Sequence, residues 1–413
     1  MLSISRSTFE YEGVRGASIV RQFAALVVST ELWLAIGMML GRSPLDRFIP
    51  GIRLSYSASC VAWLAAIVCA IPRMKSVDRA GAATVVWITS VLAVTVASLS
   101  WSKSFDYGSD KAFGFLISVY VPAILISLLR VDQKKVAISF CVIGFALLLG
   151  ASTMGIAALI WQPMRLSAFG GGPNTFGRFM VTAAISAVSL RGPMKPVAIV
   201  AFILGLVFSQ SRGAFLSGIA AALLYLVSRG DSKKRLSTAS ALTVMAALAG
   251  MWFVAPSQLR LGLLDRFTSI TVDVAGGGAI AARKLIAGDA LAAFLGKPIA
   301  GWGLGSFEHL SIDRYPHNLF LEVLCEQGLV GATVILTPLL AMLGRVLTIR
   351  VSSKGHDQPA PYWYLASLVA AQFSGDIVDS RMVFLFAILL WTQKRTRQSL
   401  GFEVFARAGD NST

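Results

Sequence analysis

Long apolar runs recur along this chain. Each is continuous over about 15–25 residues, the length that crosses a hydrocarbon core as a helix. No other feature constrains the fold as much. Backbone groups facing lipid must pair within their own segment, so a run of this kind is helical. The runs lack the alternating ten-residue pattern of an outer-membrane barrel. The 413 residues are 55% hydrophobic and only 14% charged, more apolar surface than a soluble domain can bury. The reading is an all-α, polytopic membrane protein with about twelve transmembrane helices. It has one long periplasmic loop containing a short surface helix.

The spans are expected near 22–40, 54–72, 80–100, 112–129, 136–160, 176–190, 196–210, 213–228, 236–254, 318–343, 360–377 and 380–393. The three between 176 and 228 and the last two are short, which implies bent, re-entrant or locally thinned geometry. The division is then 1–254 for the first nine helices, 255–317 for the periplasmic loop, and 318–413 for the last three helices and tail. Within the loop, residues 279–295 have a helical pattern with Arg283, Ala287, Leu291 and Phe294 on one face.

The net charge is +16, and much of it lies in short connections. Clusters at Arg73–Lys75–Arg79, Arg130–Lys134–Lys135, Arg229–Arg235 and Arg345–Lys354, with the tail, mark the cytoplasmic side. The connection at 41–53, with Arg42, Arg47 and Arg53, dissents. Both termini are then cytoplasmic, and the turn at 209–213 shares the outer face with the loop at 255–317. No basic strip on a polar domain points to nucleic acid. The N-terminal stretch lacks a secretory cleavage pattern, so the first span is expected to be retained. Cys60, Cys69, Cys141 and Cys325 lie in apolar runs without ligand spacing and read as small core residues. There is no Asp-x-Asp pair, phosphate-binding Gly-rich Lys-Ser/Thr loop or Gly-x-Ser-x-Gly elbow, so neither metal nor cofactor is expected. Glu31, Asp376 and Asp379 are the main carboxylates within or beside the spans.

Three basic features fall on the expected outer face. Arg212 lies in Ser-Gln-Ser-Arg-Gly, the tight turn between two short spans. A guanidinium at membrane depth costs about 2.5–3.5 kcal/mol, which suggests a partner such as phosphate. Arg283 lies on the surface helix, with Arg266 its competitor in the same loop. His317 follows Pro316 and is placed in the first turn of the next helix, where an imidazole can take a proton near neutral pH. His309 is a weaker candidate base, and His356 falls on the cytoplasmic side. Each feature also has a plain reading, as a solvated or headgroup-facing side chain.

Taken together, these residues resemble the O-antigen ligase and polymerase superfamily of bacterial inner-membrane glycosyltransferases. The resemblance rests on Ser209-Gln210-Ser211-Arg212-Gly213, then Arg283, then Pro298, Gly301, Gly303 and Gly305. Pro316-His317-Asn318 and Glu326, Gly328 and Gly331 follow, with Trp101-Ser102 and Pro173-Asn174 upstream. It implies transfer of a glycan from an undecaprenyl-pyrophosphate carrier to an acceptor hydroxyl, without metal and with inversion. His317 would be the general base, and Arg212 and Arg283 would hold the pyrophosphate. Arg266, Asn318 and Ser211 are candidate supporting residues. The acceptor would be lipid A–core for a ligase or a second lipid-linked glycan for a polymerase; the ligase is slightly favoured. A lipid-linked glycan flippase or transporter is the competing class. It should show buried acid relays or inverted repeats, and neither is evident in the sequence.

Overall fold

The computed structural model describes residues 25–40, 54–71, 79–129, 131–161, 166–167, 172–228, 279–348 and 358–392, with only the backbone over 152–161 and 279–280. Among these residues all regular structure is helical. The helices are α1 (Thr30–Leu40), α2 (Leu54–Ala70), α3 (Arg79–Trp101), α4 (Phe105–Leu128), α5 (Gln133–Trp161), α6 (Pro173–Ala187) and α7 (Met194–Ser209). They continue as α8 (Arg212–Ser228), α9 (Ala279–Gly296), α10 (Leu319–Leu347), α11 (Ala360–Ala370) and α12 (Arg381–Thr392). A helix stands at each expected span except 236–254, which lies outside the described residues. Among the described residues, α3, α4, residues Gln133–Ala151 of α5, and α10 are long and apolar enough to cross a membrane. Helices α1, α2, α7, α8 and α12 are apolar but shorter. Helix α4 starts seven residues before the expected 112, because its first turns carry polar side chains that the bundle accommodates.

The bundle core is aromatic. Trp363 of α11 lies edge-on to Phe140 of α5 and stacks on Phe386 of α12, with ring centroids 5.4 and 5.2 Å away. Its buried indole N–H must find an acceptor, and it donates to the Thr182 carbonyl and the Ser186 hydroxyl of α6. Two arginines cap helix ends, where unpaired carbonyls gather negative charge. Arg381 donates to the carbonyls of Met38 and Met39 at the end of α1. Arg178 does the same for Ala370 at the end of α11, and for Ser374 beyond it.

Helix α10 is broken. Gly328 leaves the helical conformation at φ 63°, ψ −158°, and the freed backbone groups pair with the loop before the helix. The amides of Leu329 and Val330 donate to the carbonyls of Pro298 and Ile299, while Trp302 and Gly303 donate to those of Cys325 and Glu326. A Cβ on Gly328 would sit 2.4 Å from the Ile299 oxygen, and one on Gly301 2.5 Å from the Glu326 carbonyl. Only glycine allows both the positive φ and this approach. Beside the break lies a buried ion cluster. Lys111 of α4 places its Nζ 2.5 Å from Glu322 and 2.7 Å from Glu326, all three 0–1% exposed. Asp376 is an electrostatic neighbour. Buried acids are not evident from the sequence, and Glu322 and Glu326 correct that expectation.

Candidate active site

The Ser-Gln-Ser-Arg-Gly segment folds as a helix-to-helix corner. Helix α7 ends at Ser209, and Gln210 takes the left-handed conformation at φ 51° that terminates a helix. Ser211 then caps α8, its hydroxyl accepting from the Ala214 amide at 3.4 Å. Arg212 is the first residue of α8 and is half-buried. Gly213 has no side chain because Phe373 occupies that space, 2.9 Å from where a Cβ would stand. The Ser211 hydroxyl also donates to the Asn174 side chain at 3.0 Å, and Asn174 reaches Ser374 at 3.4 Å.

His317 sits at the start of α10, but not in its first turn. Asn318 is the N-cap, its side-chain oxygen accepting from the amides of Phe320 and Leu321 at 3.0 and 3.1 Å. His317 precedes it in the left-handed region at φ 56°. That conformation is uncommon for a side chain with a Cβ and marks a position held by its surroundings. The imidazole Nε2 lies 3.0 Å from the carboxylate of Asp313. Nδ1 is buried and has no hydrogen-bond partner among the described residues. With Asp313 ionised, Nε2–H donates to it and the lone pair resides on Nδ1. The Tyr315 ring meets the imidazole edge-on at 4.6 Å. Asp313 and Tyr315 were not singled out from the sequence. A carboxylate four residues before a candidate base was the available signal.

The segment after α11 brings these pieces to one end of the bundle. The Leu319 amide donates to Ala371, and the Asn318 side chain to Gln372, at 3.1 and 3.5 Å. The next residue, Phe373, packs on Gly213 beside Arg212, and Ser374 reaches Asn174. His317–Asn318 and Ser211–Arg212 therefore flank a single short segment.

Arg283 lies on α9 and is exposed. The packed face of α9 is Ile286, Ala290 and Ala293, which meet Phe307 and Cys325. It is offset from the expected face: Leu291 is exposed, and Arg283 lies one turn beyond Ile286 on the same stripe. The Ser311 hydroxyl donates to Asp289 at 2.6 Å, tying α9 to the segment that carries His317. His309 is more than half exposed, on a short turn at Ser306–His309. Arg266 and His356 lie outside the described residues. The Gly-x-Gly stretch seats against the Trp101-Ser102 pair. The Trp101 indole donates to Ala300 and the Ser102 hydroxyl to Leu304, at 3.2 and 2.7 Å.

A bundle of apolar helices with a histidine and an arginine beside one connecting segment defines a multi-pass membrane protein with a polar end. Residues 197–336 match the family model described as O-Antigen ligase, a region running from α7 through Arg212, Arg283 and His317 into α10. Over this part of its length the chain is similar to the O-antigen ligase superfamily, whose members are membrane glycosyltransferase-like ligases and polymerases. Comparison with curated proteins finds no match.

Proposed function

We propose that this protein transfers a glycan from an undecaprenyl-pyrophosphate carrier to an acceptor hydroxyl at the periplasmic face of a bacterial inner membrane. The acceptor is lipid A–core, as in an O-antigen ligase. The proposed topology keeps twelve spans, with 255–317 outside. The observation that carries the reading is the Asp313–His317 pair beside the segment whose Phe373 packs on Gly213, next to Arg212 in the chain. In the reaction, Nδ1 of His317 removes the proton from the acceptor hydroxyl. The resulting oxygen nucleophile attacks the anomeric carbon, and the carbon–oxygen bond to the carrier diphosphate breaks with inversion. Asp313 stabilises the imidazolium that forms. Arg212 and Arg283 hold the diphosphate and stabilise its growing charge, with Arg266, Asn318 and Ser211 in support. No metal or cofactor enters this scheme. The exposure of Arg283 suits a donor whose headgroup arrives from outside the bundle.

The test uses the purified full chain in nanodiscs with lipid-linked glycan donor. His317→Ala is expected to lower turnover by about 10²–10⁴-fold while donor binding persists. Arg212→Ala should weaken donor binding. A His317→Ala protein with unchanged transfer would refute the scheme. Lipopolysaccharide and secreted polysaccharide from a deletion strain, run side by side, separate ligase from polymerase.

A further inference from the structure

A second basic site lies next to the first, and the scheme above does not use it. A cleft opens between α6, α8, α11 and the start of α12, with Arg178, Arg381 and Asp379 on its wall. Arg381 is 5% exposed. The hydroxyl-bearing residues Thr175, Thr182 and Ser367 line the same space.

Both guanidinium groups carry N–H groups beyond those that cap helix ends. Arg178 binds its two carbonyls through Nη2, and Arg381 binds its two through Nε and Nη2. The remaining Nε and Nη1 of Arg178 and Nη1 of Arg381 make no hydrogen bond among the described residues. Asp379 acts electrostatically on both, and Asp376 on Arg381. On the cleft wall itself Asp379 is the carboxylate beside the two guanidiniums. Planar guanidiniums with adjacent hydroxyls match the oxygens of a phosphate.

The cleft also borders the His317 site. Tyr315 contacts the imidazole and is an electrostatic neighbour of Arg178. The hydrogen-bonded row Ser211–Asn174–Ser374 lies on the same side, and Ser374 accepts from Arg178. Tyr315 thus bears on both the imidazole and the second basic site.

We infer that the Arg178–Arg381 cleft is a second phosphate subsite that takes a phosphate borne on a lipid. Under the transferase reading on which this rests, Arg212 and Arg283 serve the donor, so the cleft serves the phosphate of the lipid-borne acceptor. Two sources share this chemistry: the phosphorylated headgroup of a lipid A-type acceptor and the polyprenyl phosphate of a lipid-linked glycan acceptor. The Arg178 N–H groups and the hydroxyls grip the phosphate, and the acceptor chain extends past Tyr315 towards His317.

The experiment is native mass spectrometry of the full chain released from phosphatidylcholine nanodiscs. The discs are doped with lipid A, undecaprenyl phosphate or neither; inorganic phosphate serves as a free-anion control. In an Arg212→Ala background, which weakens the donor subsite, one phosphate lipid should still be retained, and Arg178→Gln should lower that retention about tenfold or more. Arg178 also caps α11, so Ala366→Leu provides a second variant that narrows the cleft and leaves the caps intact. It should lower retention likewise. The dopant retained identifies the source. Equal retention by the Arg212→Ala protein and by a folded variant that adds Ala366→Leu or Arg178→Gln overturns the subsite, as does competition by inorganic phosphate alone without any lipid preference. Retention is read without turnover. An active His317→Ala enzyme would therefore refute the transferase scheme and leave the phosphate subsite standing.

Discussion

Two sets of charges sit within this bundle and solve the same problem in opposite ways. Lys111 is enclosed by Glu322 and Glu326, and its charge is met within 2.7 Å. Arg178 and Arg381 instead lean on carbonyls and keep N–H groups directed at a cleft. The first set joins α4 to the broken helix α10, beside the loop that fills the break. The second lies beside the candidate base. A charge closed by side chains of opposite sign fixes two helices relative to each other. A charge met by backbone dipoles and a shared carboxylate, with N–H groups to spare, retains capacity for a ligand. The difference separates scaffold from site more sharply than burial does, since Arg381 is buried as Lys111 is.

Removing the ammonium should test that contrast most severely. Lys111→Met leaves two carboxylates buried together, at a cost of about 3–5 kcal/mol. The expected result is loss of folded protein in detergent, followed by size-exclusion profile and thermal unfolding. Adding Glu322→Gln and Glu326→Gln to it should restore much of the fold. Normal stability of the single variant would show that the cluster does not fasten the helices. A glycine change comes next. Gly328→Ala should cost a few kcal/mol, because the new Cβ strikes the Ile299 carbonyl in a backbone conformation strained for alanine. Unfolding temperature reads this directly.

The site end predicts smaller, kinetic effects. Asp313→Asn should lower kcat by about 10–100-fold with little change in protein stability. Steady-state kinetics beside a thermal unfolding curve checks this, and an unchanged kcat would remove Asp313 as the partner that orients the imidazole. Chelation should have the smallest effect, with transfer continuing in EDTA; loss restored by magnesium would overturn the metal-free scheme.

Helix positions were largely legible, because lipid imposes one length and one polarity on every span. The Ser-Gln-Ser-Arg-Gly corner and the Pro-His-Asn entry to α10 were also legible, as short polar interruptions between apolar runs. Lys111 was not. Hydropathy placed it just outside a span, and its neutralising partners lie more than two hundred residues away in the chain. Arg178 and Arg381 fell inside expected spans, where any arginine is informative, yet pattern alone could not tell a helix cap from a ligand site. Asp313 was missed because the i, i+4 relation matters only once the segment curls around His317. The expected face of α9 was offset because the helix turns its Ile286–Ala290–Ala293 stripe towards Phe307 and Cys325.

Sequence by itself determined that this chain is a helical membrane protein, where most of its helices lie, and which two polar corners interrupt them. Those properties follow from solvation, which acts on each segment independently. Tertiary structure decided which charges neutralise each other, that α10 breaks to accept a loop, and that the residues after α11 stand between His317 and Arg212. These depend on distances between segments remote in the chain, set by packing across the whole bundle.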